Sequence, residues 1–366
     1  MSALKSSSAA LAFVISCASP PRGVEHHRGH EETTATYNDV VEVLATELEA
    51  AYVFPDVGRR YADALRGPEF RDVVRDTPPG NLSKVLAAYL QGIHADAHLR
   101  VWGPDTEAGP TQAVAPSAPT PGGLEAAVSL TPRIAYLRFN LFPGDEDTLN
   151  RLSEFVLNNA GVEVLIIDAR GHRGGGLSEM DALFAELFAE ETTLVAMDTR
   201  LSVDRAGGSP ITDGPTVRRV VAPDEVVRRE HVAVPSAQPR LVDTKLYVLV
   251  SGYTASAAEH LALAVKRTER GIVVGEATRG GAHFGGTTDL GAGFSAFVPV
   301  GRSFNPDTGE DWEGVGVAPD TVAPAPQALV AALVDHGLSP DEAKRIDASV
   351  AYVPPESPSH RPVGAL

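Results

Sequence analysis

Two periodicities divide the chain. From Tyr37 onward, Val40, Val41, Leu44, Leu48 and Ala51 recur at helical spacing, Tyr52-Val53-Phe54-Pro55-Asp56 breaks the run, and Tyr61 with Leu65 opens a second helix. The breaker Pro78-Pro79-Gly80 precedes a third, Leu82 to Ile93, so this part predicts a small three-helix unit; across His94 to Val101 its pattern turns from helix to strand. Beyond Gly103 to Gly123, a linker rich in proline and small residues, strands alternate with helices. A strand is predicted at Ile134 to Phe139, a helix at Glu146 to Asn158, a buried strand at Val162 to Asp168 and a helix at Met180 to Phe188. Thr193 to about Ala237 is irregular and reads as strands and loops forming a rim. Leu246 to Val250 and Ile272 to Val274 are continuous apolar runs, as expected of strands buried on both faces, with a helix from Ser256 to about Glu269 between them. A strand at Phe294 to Val300 and a helix at Pro326 to Asp335 follow, and from Val353 the chain is proline rich and reads as loose. The alternation predicts an α/β core.

With 366 residues, 43% of them hydrophobic, the chain can bury one large core and a smaller helical unit. A net charge of −17 and a pI near 5.0 exclude nucleic acid and an anionic membrane surface as main partners, because both demand a basic face. At the N-terminus, Lys5 precedes the apolar stretch Ala9 to Ile15, and Val-Ile-Ser-Cys ends at Cys17, the only cysteine. This resembles a bacterial lipobox, which would make residues 1–17 a signal segment, Cys17 a lipidation site and residues 18–34 a tether, with export to the cell envelope as a lipoprotein; an ordinary secretory signal or an unprocessed tail are the other readings. The tether's His26, His27 and His30 have no fourth ligand and receive no role.

Three clusters carry candidate chemistry. Ser256-Ala257-Ala258-Glu259 matches the Ser-x-x-Glu capping box, which displays a serine beside free N–H groups and the positive end of a helix dipole, although the same pattern also serves simply as a cap. Gly171 to Gly176 follows a buried strand. It is neither Gly-x-Gly-x-x-Gly nor followed by Gly-Lys-Ser/Thr, so phosphate binding is set aside; its glycines suit an oxyanion hole or a structural turn. His94 and His98 lie four apart, which on a helix would place both imidazoles on one face as in some zinc sites; a structural pair, or His98 as a base, are the other readings.

Six stretches in order resemble peptidase family S41, the tail-specific or C-terminal processing proteases, and within it the interphotoreceptor retinoid-binding protein repeats. They are Tyr52 to Asp56, Asp96 to Val101, Asp168 to Gly176, Ser256 to Glu259, Gly275 to Thr278 and Trp312 to Val317. The resemblance implies an α/β fold with a ClpP and crotonase-like core and an N-terminal three-helix bundle. The units would be the bundle at 35–103, a linker at 104–124, the peptidase core at 125–325, and a C-terminal helix with a loose tail at 326–366. It implies Ser256 as nucleophile, with the N–H of Ala257 and of Gly174 or Gly175 as oxyanion donors; His172 and Arg173 stand where the family usually shows Asn and Gly. The processing proteases use a lysine 25 residues after the serine, a position that is Gly281 here, and usually carry a PDZ domain for which the linker is too short. A tricorn-like arrangement fits instead, with His98 as base and Glu313 or, failing it, Asp96 orienting the imidazole; the second serine of that arrangement is Ala97. No metal or cofactor is implied, the substrate would be a peptide or unfolded protein, and the oligomeric state is left open. The alternative is a catalytically inactive module of the same fold that binds apolar ligands or peptides.

Overall fold

A computed structural model describes residues 29–78, 80–104 and 123–355, with side chains from residue 36. The signal segment with Cys17, the side chains of the tether histidines, residues 105–122 of the linker and the tail beyond 355 lie outside the described residues.

The first part is α1 (Gly29–Ala51), α2 (Pro55–Arg66), α3 (Pro68–Asp76) and α4 (Leu82–Ile93). There are four helices where hydrophobic spacing predicts three, because α3 is only 9 residues long and buries just Phe70 and Val74, too few positions to show a period. α1 also starts inside the stretch read as tether, since its opening residues are polar and leave no apolar rhythm. The remaining elements are β1 (Arg100–Trp102), β2 (Leu124–Thr131), β3 (Ile134–Phe139), α5 (Glu146–Asn158), β4 (Val164–Asp168), α6 (Ser178–Leu187), β5 (Thr192–Arg200), α7 (Leu201–Arg205), β6 (Val217–Val220), β7 (Val226–Ala233), β8 (Lys245–Val250), α8 (Ala257–Arg267), β9 (Gly271–Gly275), β10 (His283–Gly291), β11 (Phe294–Phe304), β12 (Thr321–Val322), α9 (Ala328–Asp335) and α10 (Pro340–Ser349). The C-terminal region therefore holds two helices, not one, before a tail whose Pro355 packs at Gly171.

The molecule is a mixed α/β fold with two sheets. One sheet has the order β12-β9-β8-β4-β3-β2 and is parallel except where β2 pairs with β3. Its strands are covered on both faces, which is why they are apolar without alternation. Leu246, Val248 and Val250 face a core shared with α5, α6 and α8, while Tyr247 and Leu249 face Leu329, Ala332 and Leu333 of α9. The second sheet, β1-β11-β5-β7-β6 with β10 on β11, is antiparallel. The helical unit packs on it: Leu44, Leu48, Tyr61 and Leu86 share one core with Leu290, Phe294, Ala296 and Val298. That docking brings the loop after α4 against β10, and so brings residues of the first 100 to the end of β8.

Candidate active site

β8 ends in a turn stitched to the end of β4. Thr254 Oγ1 donates to the Ala169 carbonyl at 2.8 Å and Ser251 Oγ to the Arg170 carbonyl at 2.6 Å. Ser256 then enters α8 as its N-cap, exposed, at φ 56° and ψ −121°. A non-glycine residue held there costs roughly 1–3 kcal/mol and persists only where its surroundings impose it. Glu259 supplies that imposition. The capping box forms, and the buried Glu259 carboxylate accepts the N–H groups of Ser256 (2.8 Å), Gly280 (2.6 Å) and Gly281 (2.7 Å) and the hydroxyl of Thr278 (2.6 Å). Burial raises its carboxyl above the usual range against the pull of these four donors.

His98 and Glu313 come from opposite ends of the chain. α4 stops at Ile93 and His94 is already extended, so the helical face that would have paired His94 with His98 never forms; His94 instead stacks edge-on against Phe54. The loop is shaped by Asp96, whose Oδ1 accepts the N–H of His98 (2.8 Å) and of Leu99 (3.1 Å). His98 Nδ1 lies 2.7 Å from Glu313 Oε1, and Glu313 Oε2 accepts the N–H of Ala282 (2.8 Å) and His283 (3.0 Å). With Nδ1 held by a carboxylate, Nε2 is the nitrogen left with a lone pair. Asp96 does not orient His98; its Oδ2 accepts from the Tyr52 hydroxyl (2.6 Å) and pairs with His283 Nδ1 (3.0 Å).

His283 escaped the sequence reading altogether. Burial pushes its pKa down, but the Asp311 carboxylate 3.7 Å from Nε2, together with the hydrogen bond and charge of Asp96 at Nδ1, outweighs this and raises it to about 9. Against the upward push of burial, the same pairing lowers Asp96 and Asp311 to about 2. Ligand atoms of Asp96, His283 and Glu313 lie within 4.8 Å of one another, a grouping a metal could use, yet each is already engaged by the internal hydrogen bonds just described.

The strand-end loop runs from β4 past Ser256. A Cβ on Gly174, at φ 117°, would lie 2.7 Å from Ser256 Cβ and 3.1 Å from its Oγ, so only glycine leaves room for the serine. The Gly174 N–H donates to His172 Nδ1 at 3.0 Å. His172 is wholly buried, its pKa pushed down to about 3 by burial, and its ring lies edge-on to Phe142 at 4.1 Å. The His that departs from the family pattern thus takes up the Gly174 N–H. Gly175 and Ala257 line one cavity with Ser256, and among the described residues neither N–H finds a hydrogen-bond acceptor; Ala257 is the first residue of α8, where helical N–H groups are unpaired. Of the two glycines singled out as donors, Gly175 is the one whose N–H is free.

Ser256 sits between two cavities. One, of 440 Å³, has walls from Leu177, Met197, Ile211, Phe284 and Trp312. At its floor His260 accepts or donates to His231 at 2.9 Å, which in turn meets Asp181 at 2.8 Å. The other, of 470 Å³, is lined by His98 with Ser256. His98 and Ser256 are not hydrogen-bonded to one another, but both border Gly281: a Cβ there would lie 3.3 Å from His98 Cε1 and 3.5 Å from Ser256 N. A lysine at 281 and the His98 imidazole would contend for the same space.

The family profile described as "Peptidase family S41" matches residues 133–323. A chloroplastic C-terminal processing peptidase of Tetradesmus obliquus is 30% identical over 200 residues, covering 53% of this chain and 37% of that protein. A carboxyl-terminal-processing protease of Picosynechococcus is 27% identical over 195 residues, covering 52% and 39%. The chain thus spans well under half the length of these curated relatives. The solved structure of a photosystem II D1 C-terminal processing protease superposes with a TM-score of 0.52 at 17% identity, covering 79% of this chain and 93% of that one, a likeness of fold.

Proposed function

This chain belongs to peptidase family S41, and from that membership we propose that it is a metal-independent serine endopeptidase with Ser256 as nucleophile, His98 as base and Glu313 as the group that orients the base. The observation that carries the reading is the strained, exposed Ser256 at the start of α8, opening on the same cavity as an imidazole whose other nitrogen is fixed by Glu313. Ser256 Oγ attacks the scissile carbonyl while His98 Nε2 takes its proton; Glu313 holds the imidazole by Nδ1 and stabilises its protonated form. The carbonyl oxygen, now negative, receives the N–H groups of Ala257 and Gly175. Collapse expels the amine, protonated by His98, and water activated by the same His98 hydrolyses the acyl-enzyme. The missing Ser256–His98 hydrogen bond is no obstacle, since such contacts often tighten only around substrate.

The test is cleavage of an unstructured protein by the parent, Ser256→Ala and His98→Ala, with fluorophosphonate labelling of Ser256. Cleavage lost in both variants supports the proposal, and an unaffected Ser256→Ala refutes it. The apolar walls of the 440 Å³ cavity favour a second reading, a ligand-binding module; saturable apolar-ligand binding by a chain whose Ser256 resists labelling would select it. We also propose that residues 35–103 and the ClpP and crotonase-like core at 125–325 act as two units, and that the chain is exported with Cys17 lipidated. Incorporation of a palmitate analogue that Cys17→Ala abolishes would support the lipidation.

A further inference from the structure

Resting on the peptidase reading, we propose that the leaving-group side of the site is a carboxylate-binding subsite formed by Arg100, Arg173 and Arg279. All three line the cavity that holds His98 and Ser256, all three are exposed, and no carboxylate among the described residues lines that cavity. Among the described residues none of them has an acidic partner, and Arg100 Nε meets the Ala97 carbonyl at 3.3 Å. Many of the chain's other exposed or half-buried arginines do find acids, as Arg66 does with Glu42 and Glu49, Arg218 with Glu191 and Arg267 with Asp307. Three guanidinium groups gathered around a serine and a histidine, without counter-charge, present donors suited to bidentate capture of a carboxylate.

The two cavities assign the side. The oxyanion donors Gly175 and Ala257 border the 440 Å³ cavity, so a carbonyl bound there directs the acyl side chain into apolar walls. His98 must hand its proton to the departing amine, so that half of the peptide lies over the 470 Å³ cavity with the arginines. The path continues into a neighbouring cavity of 720 Å³ that shares Arg173, Tyr253 and Arg279. Its two acids are otherwise engaged, Glu125 by Asn140 and Asp168 by Arg170. The substrate class this selects has an apolar residue before the scissile bond and a carboxylate shortly after it, borne by an Asp or Glu side chain or by the end of the peptide.

Fluorogenic peptides with one apolar residue before the bond and Glu or Gln after it, each ending in a free acid or an amide, distinguish the two sources. The parent is expected to favour a carboxylate-bearing peptide over its neutral isostere by about tenfold or more in kcat/KM, the preference shrinking with added salt and with each of Arg173→Gln, Arg279→Gln and Arg100→Gln. A preference for Glu over Gln in both end groups names the side chain, and one for acid over amide names the chain end. Anisotropy binding of the same peptides to Ser256→Ala separates this proposal from the peptidase reading. Charge-selective binding lost on removing the arginines upholds the subsite even if the parent cleaves nothing. Equal binding and equal turnover of charged and neutral peptides, or arginine variants that leave the ratio unchanged, overturn it while leaving the peptidase reading standing.

Discussion

Replacing His283 with Gln is expected to remove stability that depends on pH in a defined direction. The His283 side chain is 3% exposed, at the start of β10, and faces Asp96 from the loop after α4 and Asp311 and Glu313 from the loop after β11. His98 lies 6.4 Å away ring to ring, His94 is close enough for the His283 charge to lower its pKa, after the larger effect of burial, and Arg302 stands behind Asp311 at 3.1 Å. Raising a histidine from 6.5 to about 9 on folding corresponds to roughly 3 kcal/mol at 1.36 kcal/mol per pH unit. Because the folded value is the higher one, this stability is fully present below about pH 6.5, declines as the pH rises and is gone above about 9. Asp96 and Asp311 work in the opposite sense: lowered from 3.8 to about 2, they add stability above 3.8 that is lost as the pH falls toward 2. The three share the same contacts, so their contributions do not add. Urea unfolding of parent and His283→Gln at about pH 5.5, 8 and 10 measures the difference. It is expected to be largest at the lowest of these and to vanish at the highest; a penalty that stays constant from about pH 5.5 to 10 would refute the account, attributing the loss to packing alone.

Other substitutions probe the serine directly. Gly174→Ala places a methyl 2.7 Å from Ser256 Cβ at φ 117°, and fluorophosphonate labelling should fall by about a hundredfold or more while circular dichroism stays that of the parent. Glu259→Gln replaces one of two oxygens with an N–H₂, so it faces either the donors Ser256 and Gly281 or the donors Thr278 and Gly280, and should cost about 3 kcal/mol in urea titration as well as activity. Glu313→Gln keeps the shape but lets the wrong His98 tautomer form, with an expected fall in kcat of roughly 10²- to 10⁴-fold. His172→Asn retains an acceptor for the Gly174 N–H and should leave kcat within about threefold of the parent, whereas His172→Ala strands that N–H and opens a cavity, lowering the melting temperature by several degrees.

Much of the central sheet and its helices was legible along the chain because their signals are local. The apolar run of β8, the capping box of α8 and the spacing in α5 each report a backbone preference within a dozen residues. Weakly patterned elements escaped: α3 for its brevity, β2 because most of its residues are half-exposed or exposed, and α10 because it buries only Ala343. The spacing of His94 and His98 left several readings open for a local reason as well, since spacing of four means a shared face only while the helix lasts, and α4 ends at Ile93.

The candidate site divides along the same line. The sequence by itself determined which residue types stand at strand ends and helix starts, and so singled out Ser256, the glycine loop and His98, while its resemblance to family S41 added Ala257 and Glu313. Tertiary structure alone decided that Gly174 donates to His172 and leaves Gly175 free, that Glu259 fixes the serine's strained backbone, and that His283 holds Asp96 near Glu313. It alone gathered Arg100, Arg173 and Arg279 at one cavity, from positions up to 179 residues apart. The physical reason is range: backbone propensity acts over a few neighbours in sequence, whereas hydrogen bonding, desolvation and charge pairing act over a few ångströms in space, between segments that only the closed fold makes adjacent.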